Sequence, residues 1–276
     1  MMRSLWTAAS GMRAQQVNVD TIANNVANIN TIGYKSQQAS FKSLLYQNLQ
    51  STSTNNAGEN KPVAAEVGLG SRGAAITSTF TQGNLTHVEN PFSVALEGDG
   101  FFQIRTESGE LQYTRDGSFE ISPVANGNML CTSDGNPVLD AYGNQIILPS
   151  NRVATDLVVN QDGTLAFPDG TGNPAVITDA NGRPVKFGIY QFNNPAGLSK
   201  EGSNNYSVTV ASGAAVAENG NAAVKQTKTH QYYTEASNVD VANEMVNLIV
   251  AQRAYEMNSK AIQASDEMMQ QANALR

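Results

Sequence analysis

Apolar residues follow a helical spacing at both ends of the chain and a strand spacing between them. Near the start, Leu5, Ala8, Met12, Gln15, Val19, Ile22, Val26 and Ile29 recur at alternating intervals of three and four. That is the spacing of a coiled-coil seam, broken only at Gln15. Ser4 is a candidate cap, and Asp20 with Thr21 could open a second segment. Gly33 predicts the end of the helix, because the residue after a helix often takes the left-handed conformation glycine tolerates. At the other end Val241, Met245, Leu248, Ala251, Tyr255, Ile262, Met269 and Ala272 form a second stripe, with Asn258 and Ser265 as polar members. Asn238 or Asp240 can cap it, and Glu256 and Lys260 are placed for an i,i+4 ion pair. A helix of about 35 residues follows, longer than a compact domain usually holds.

Between these ends the period changes. Residues 47–60 are poor in apolar side chains and predict an exposed arm. From residue 63 to about 210, short apolar runs are broken by Asp99-Gly100, Asp116-Gly117, Asp134-Gly135, Asp162-Gly163, Asp169-Gly170 and Asn181-Gly182, which predict hairpins. Leu157, Val159 and Leu165 flank Asp162-Gly163 as a small hairpin requires. Residues 211–223, small and polar, predict a linker. The fold class is α+β: paired long terminal helices, coiled-coil-like, flanking a central all-β domain. The expected divisions are 1–46 with 228–276 for the helices, 47–80 with 211–227 for arm and linker, and 81–210 for the β domain.

Composition narrows the function. Charged residues are 15% of the 276, against about 25% in ordinary soluble proteins, so the surface is polar but weakly charged and suits close contact with neighbours. A net charge of −7 argues against a phosphate-tracking nucleic-acid binder. One cysteine, Cys131, excludes an intrachain disulfide framework, and two histidines leave little for a zinc site. No apolar run follows Arg3 as a cleaved signal would require, and none approaches the roughly 18 residues of a membrane helix.

Catalytic motifs are equally sparse. Gly68, Gly70 and Gly73 fit G-x-G-x-x-G, but no apolar strand precedes them and residues 74–80 alternate like a strand, where a nucleotide site needs a helix. The Asp-Gly pairs lack calcium-loop spacing. His230 with Tyr232 and Tyr233 predicts β packing, and Arg115 beside Asp116 predicts an ion pair at a turn. No catalytic, cofactor-binding or metal residues are assigned, and no cofactor is expected.

Four blocks in order resemble the bacterial flagellar rod and hook proteins. The first is Asn24-Asn25-Val26-Ala27-Asn28 with Thr31, Gly33, Tyr34 and Lys35. The second is Gln82-Gly83-Asn84-Leu85 with Gly98-Asp99-Gly100-Phe101-Phe102-Gln103, and the third runs from Tyr113-Thr114-Arg115-Asp116 to Gly117-Ser118-Phe119. The last is Glu235-Ala236-Ser237-Asn238-Val239-Asp240-Val241 with Gln252-Arg253-Ala254-Tyr255-Glu256. Residues 131–223 carry little of the resemblance. Met2-Arg3-Ser4-Leu5-Trp6 and Leu44-Leu45-Tyr46-Gln47 are most similar to the distal-rod branch, whose additional arm would correspond to residues 48–67.

The resemblance implies a non-enzymatic subunit polymerising into a hollow helical tube, the drive shaft that carries torque from motor to hook. It implies export by the flagellar apparatus without a cleaved signal, and a place in the periplasmic basal body. The implied partners are further copies of itself, proximal rod proteins, the hook protein or hook-junction side, and the P- and L-ring proteins, with no nucleic acid. The subunit interface is expected at Leu5, Met12, Val19, Ile22, Asn24, Asn25, Val26, Asn28, Gly33, Val241, Met245, Leu248, Arg253, Tyr255 and Ile262. The asparagines, poor helix formers, fit hydrogen bonding between subunits. The alternatives are another rod or hook subunit or, from a different class, a secreted β-rich carbohydrate-binding protein using Asp162 and Asp169. Trp6, the only Trp, offers that alternative no sugar platform because it lies in the terminal helix.

Overall fold

A computed structural model describes residues 2–50, 65–125, 127–150, 152–168, 174–179, 182–220 and 224–274. The fold is α+β, with a long helix near each end and short strands between. The chain forms two compact units. The first comprises Met1–Ala27, Gln37–Ser78 and Asp240–Arg276; the second comprises Asn28–Ser36 and Thr79–Val239. Residues 28–36 and 228–239, expected with the helices, therefore belong to the second unit.

In the first unit, helix α1 (Met2–Ala27) and helix α2 (Val241–Ala274) pack antiparallel. Ser4 Oγ lies 3.2 Å from Ser265 Oγ, and a Cβ on Gly11 would come within 2.9 Å of Asn258 Nδ2. Farther along, Asn25 donates to Glu244 Oε1 at 2.9 Å. Each step of seven along α1 matches a step of seven back along α2, the heptad register the spacing predicted. Asp240, rather than Asn238, caps α2: its side chain accepts from the Ala242 amide at 3.0 Å and its carbonyl from the Glu244 amide at 3.0 Å. Glu256 pairs with Arg253 at 2.9 Å, not with Lys260.

α1 stops at Ala27, short of Gly33. Asn24, Asn25 and Asn28 disfavour helix, and a turn closes there as the Asn28 carbonyl accepts from Thr31 N at 3.2 Å. The chain then enters an antiparallel ribbon of Gln37–Ser43 against Ser71–Ser78, continued by Tyr46–Gln50 against Ala65–Gly68. The glycine-rich segment thus leads into a strand, as its alternation required. The arm expected at residues 48–67 is strand at both ends, and residues 51–64 lie outside the described residues.

In the second unit the principal sheet runs, in spatial order, Ser199–Gly202, Asn205–Ser207, Leu111–Thr114, Phe101–Arg105, Ile189–Gln191 and Val216–Ala217, with every neighbour antiparallel. The last strand falls in the stretch read as a linker. Alternation along Phe101–Arg105 divides the core, because successive side chains point to opposite faces. Phe102 and Ile104 join Phe119, Leu130, Val138, Ile146, Leu165 and Phe187 on one side. Phe101 joins Tyr113, Phe192, Leu198 and Tyr206 on the other.

The turns divide into two kinds. Asp162-Gly163 closes a hairpin in which Val159 pairs with Leu165, and Gly163 has φ +82°. Asp134-Gly135 turns likewise, with φ +82° at the glycine. Asp99-Gly100 and Asp116-Gly117 do not join paired strands. A Cβ on Gly100 would meet Ile189 and Glu218, and one on Gly117 would strike the Val94 carbonyl, so there glycine permits close approach. Asp169-Gly170 and Asn181 lie outside the described residues.

Two tests follow from this packing. Gly117→Ala should destabilise the second unit by about 3 kcal/mol in urea unfolding, since a backbone carbonyl cannot move aside cheaply. Burial pushes the Tyr206 phenol up from 10 to about 12. The unfolded chain ionises first, so the contribution of Tyr206 is complete below pH 10 and lost as pH rises towards 12. That loss is about 2–3 kcal/mol, and Tyr206→Phe should remove it from the pH profile of the urea midpoint.

Candidate functional site

Three of the blocks that carry the resemblance meet in the second unit at a buried ion cluster. Lys35 Nζ lies 2.6 Å from Glu235 Oε1, and Arg115 Nη1 lies 3.2 Å from Glu235 Oε2. The three side chains are 0–1% exposed. Two cations therefore share one carboxylate in a space closed to water.

Local geometry places each member. Gly33, with φ +69°, turns the chain so that its amide donates to the Glu235 carbonyl at 2.8 Å. Its Cα passes so close to Arg115 that a Cβ would come within 3.0 Å of the Arg115 backbone. Asn204 fastens the same segment by donating to the Ile32 carbonyl at 2.6 Å. Lys35 also donates to the Thr81 carbonyl at 2.8 Å, and the Gly83 amide donates to Glu235 Oε1 at 2.9 Å. The Arg115 guanidinium lies 5.3 Å from the centre of the Phe101 ring and donates to the Gly98 carbonyl. Among the described residues, Arg115 Nε is buried without a hydrogen-bond partner.

Burial pulls the Lys35 ammonium below its ordinary range, and the Arg115 charge adds to that pull, while Glu235 opposes it. The cluster is a packing device: every charge faces another or a backbone carbonyl, and its three side chains are closed to solvent. Arg115 does not pair with Asp116. The Asp116 carboxylate instead accepts from Ser118 N at 2.9 Å and Ser118 Oγ at 2.5 Å, closing its own turn.

Both histidines fall in one strand-end cluster. His87 stacks on Tyr232, and the His230 ring meets Tyr233 edge-on. His230 Nε2 lies 2.7 Å from Glu97, whose carboxyl is held below its ordinary range by that bond. This is the β packing that the His-Tyr-Tyr run suggested.

The residues expected at a subunit interface divide by exposure. On α1, Ile22 and Asn25 are buried, and Leu5, Met12, Val19 and Val26 are half-buried. Asn25 works within the chain: its side chain accepts from the Gln37 amide at 2.8 Å and donates to the Gln37 carbonyl at 2.8 Å and to Glu244. Gly33 is buried in the second unit, and Asn28 is half-buried there, its side chain bonded to Thr31 Oγ1. Asn24, Val241, Met245, Arg253 and Tyr255 are exposed, while Leu248 and Ile262 are half-buried. The periodicity overlooked a further face of α2: Val246, Ile249, Val250 and Met257 are 57–65% exposed. A stripe chosen to cover one partner helix leaves such a second face uncounted.

Periodicity also gave no sign of the ion cluster. Its visible signal was a charged residue within each of three blocks that otherwise read as packing and turn residues.

Three family descriptions match the chain in separate segments. Residues 5–35 match the flagella basal body rod protein, residues 95–167 the D1 domain of the flagellar hook protein FlgE/F/G, and residues 230–275 the C-terminal part of the flagellar basal body rod FlgEFG proteins. Lys35, Arg115 and Glu235 come one from each. Full-length relatives agree. The chain is 43% identical to the flagellar basal-body rod protein FlgG of Borreliella burgdorferi, covering 100% of this chain and 99% of that one. It is 38% identical to FlgG of Caulobacter vibrioides over 100% of both, and 33% identical to the flagellar hook-basal body complex protein FlhP of Bacillus subtilis over 100% of both. The chain belongs to the family of flagellar basal-body rod proteins typified by FlgG.

Glu235→Gln should lower the stability of the second unit by about 3–5 kcal/mol, because it leaves two buried cations without a counter-charge. Adding Lys35→Met should recover part of that loss in calorimetry, since one of the stranded charges is then gone.

Proposed function

We propose that the chain is a structural, non-enzymatic subunit of the distal flagellar rod, polymerising into the hollow shaft that carries torque from motor to hook. The observation that carries this reading is the bare apolar face of α2. α1 packs against α2 and the strand ribbon, and on α2 Val246, Ile249, Val250 and Met257 stand more than half exposed. Side chains of this kind, repeated along a 34-residue helix, fit burial against identical neighbours, and a contact that does not close on itself generates a filament.

Membership of the rod family supports the rest of the assignment. Proximal rod proteins lie below, the hook or hook-junction side above and the P- and L-ring proteins around the shaft. The subunit reaches the periplasm through the flagellar export apparatus without a cleaved signal. The expected interface residues Val241, Met245, Leu248, Arg253, Tyr255 and Ile262 share α2 with this face and complete the proposed contact.

Purified protein at high concentration should form straight tubes visible by negative-stain microscopy. Val250→Asp with Met257→Asp should abolish them by placing charge in the contact, while leaving the thermal transition of the second unit unchanged. Tubes of normal length from the double variant would refute this contact surface.

A further inference from the structure

We propose that the second unit is gated in its folding by its last segment, residues 228–239, with Glu235 as the key. Lys35 and Arg115 are buried to 0% and 1% exposure, and among the described residues only Glu235 pairs with them. Asp99, the other carboxylate whose charge Lys35 feels, is exposed. Until Glu235 arrives, closing the sheet around positions 35 and 115 would bury two charges with no counter-ion, which a marginal domain does not tolerate.

The same segment supplies the missing polar partners elsewhere. Lys228–Gln231 pairs with Val94–Glu97, and Tyr233–Glu235 pairs with Leu85–His87. The Gln231 side chain donates to the Pro91 and Leu157 carbonyls, each at 2.7 Å, and accepts from the Val159 amide at 2.9 Å. Asn238 accepts from the Ser36 amide at 2.7 Å and donates to the Thr79 carbonyl at 2.8 Å. Without this segment, the Leu157 carbonyl and the Val159 amide, both in buried residues, lose these partners.

Glu235 lies 200 residues from Lys35 and 120 from Arg115 in the chain. A chain delivered amino-terminus first therefore stays open until nearly its whole length has been released. That consequence rests on the export reading above; the gate itself does not.

The test is pulsed hydrogen–deuterium labelling during refolding of the full-length chain from urea. Amides of Phe101–Arg105 and of Lys228–Glu235 should become protected in one phase. Glu235→Gln should slow that phase at least tenfold, and Lys35→Met with Arg115→Met should uncouple it, so that Phe101–Arg105 is protected first. Protection of Phe101–Arg105 ahead of 228–235 in the wild-type chain would overturn the gate, whether or not the variants fold. Refolding of Glu235→Gln at the wild-type rate would overturn it too. Tube formation is scored separately, so chains that assemble after ungated folding would remove the gate and leave the rod assignment standing.

Discussion

The carboxylate of Glu235 is shared by two cations from which water is excluded, and the chain's most distant parts are arranged to deliver those three groups to one point. Such a cluster adds little net stability, because desolvation of the ions offsets most of their attraction. Its effect is on specificity. An apolar patch in the same place would tolerate shifted strands, whereas a carboxylate with two fixed partners tolerates one arrangement. Each of the three matched family segments contributes one charge, so the cluster is the point where those segments meet.

The rest of the second unit is consistent with this constraint. Phe101 and Phe102 face opposite cores from adjacent positions on one strand, and Arg115 lies against Phe101. The cluster is therefore held by the smaller aromatic core, while the larger aliphatic core forms on the opposite face of the same strand. The glycines at 33, 83 and 117 let backbone segments approach where a methyl group would collide, and Gly100 leaves room for the Ile189 and Glu218 side chains.

What the sequence disclosed depended on range. Local signals were legible. The three-four spacing from Leu5 to Val26 marked positions that are all buried or half-buried, and Asp162-Gly163 set a hairpin between strands a few residues apart. The fold class and the rod family were legible too, the first from the change of period and the second from the ordered blocks. Signals that needed distant partners were not. Asp116 sits next to Arg115 in sequence, but the guanidinium turns to Glu235, because a buried charge is satisfied by whatever the fold brings within reach. Gly100 and Gly117 look like turn glycines because an Asp-Gly pair reads the same whether the chain reverses there or passes close to a neighbour. Residues 216–217 pair in the principal sheet although their composition suggested a tether, since two small residues suffice at a sheet edge.

The heptad register between α1 and α2 has one more consequence, concerning slippage. Coiled helices can in principle slide by a whole heptad and keep their spacing, so something must forbid it. Here that residue is Asn25, whose amide reaches Glu244. Slide one way and Asn25 comes opposite Ala251, whose methyl group can accept nothing. Slide the other way and it faces residue 237, ahead of the first turn of α2 at Val241. Either error costs the buried amide one of its two acceptors and leaves only the Gln37 carbonyl, so one polar contact between the helices works as a detent that fixes how far one stands along the other.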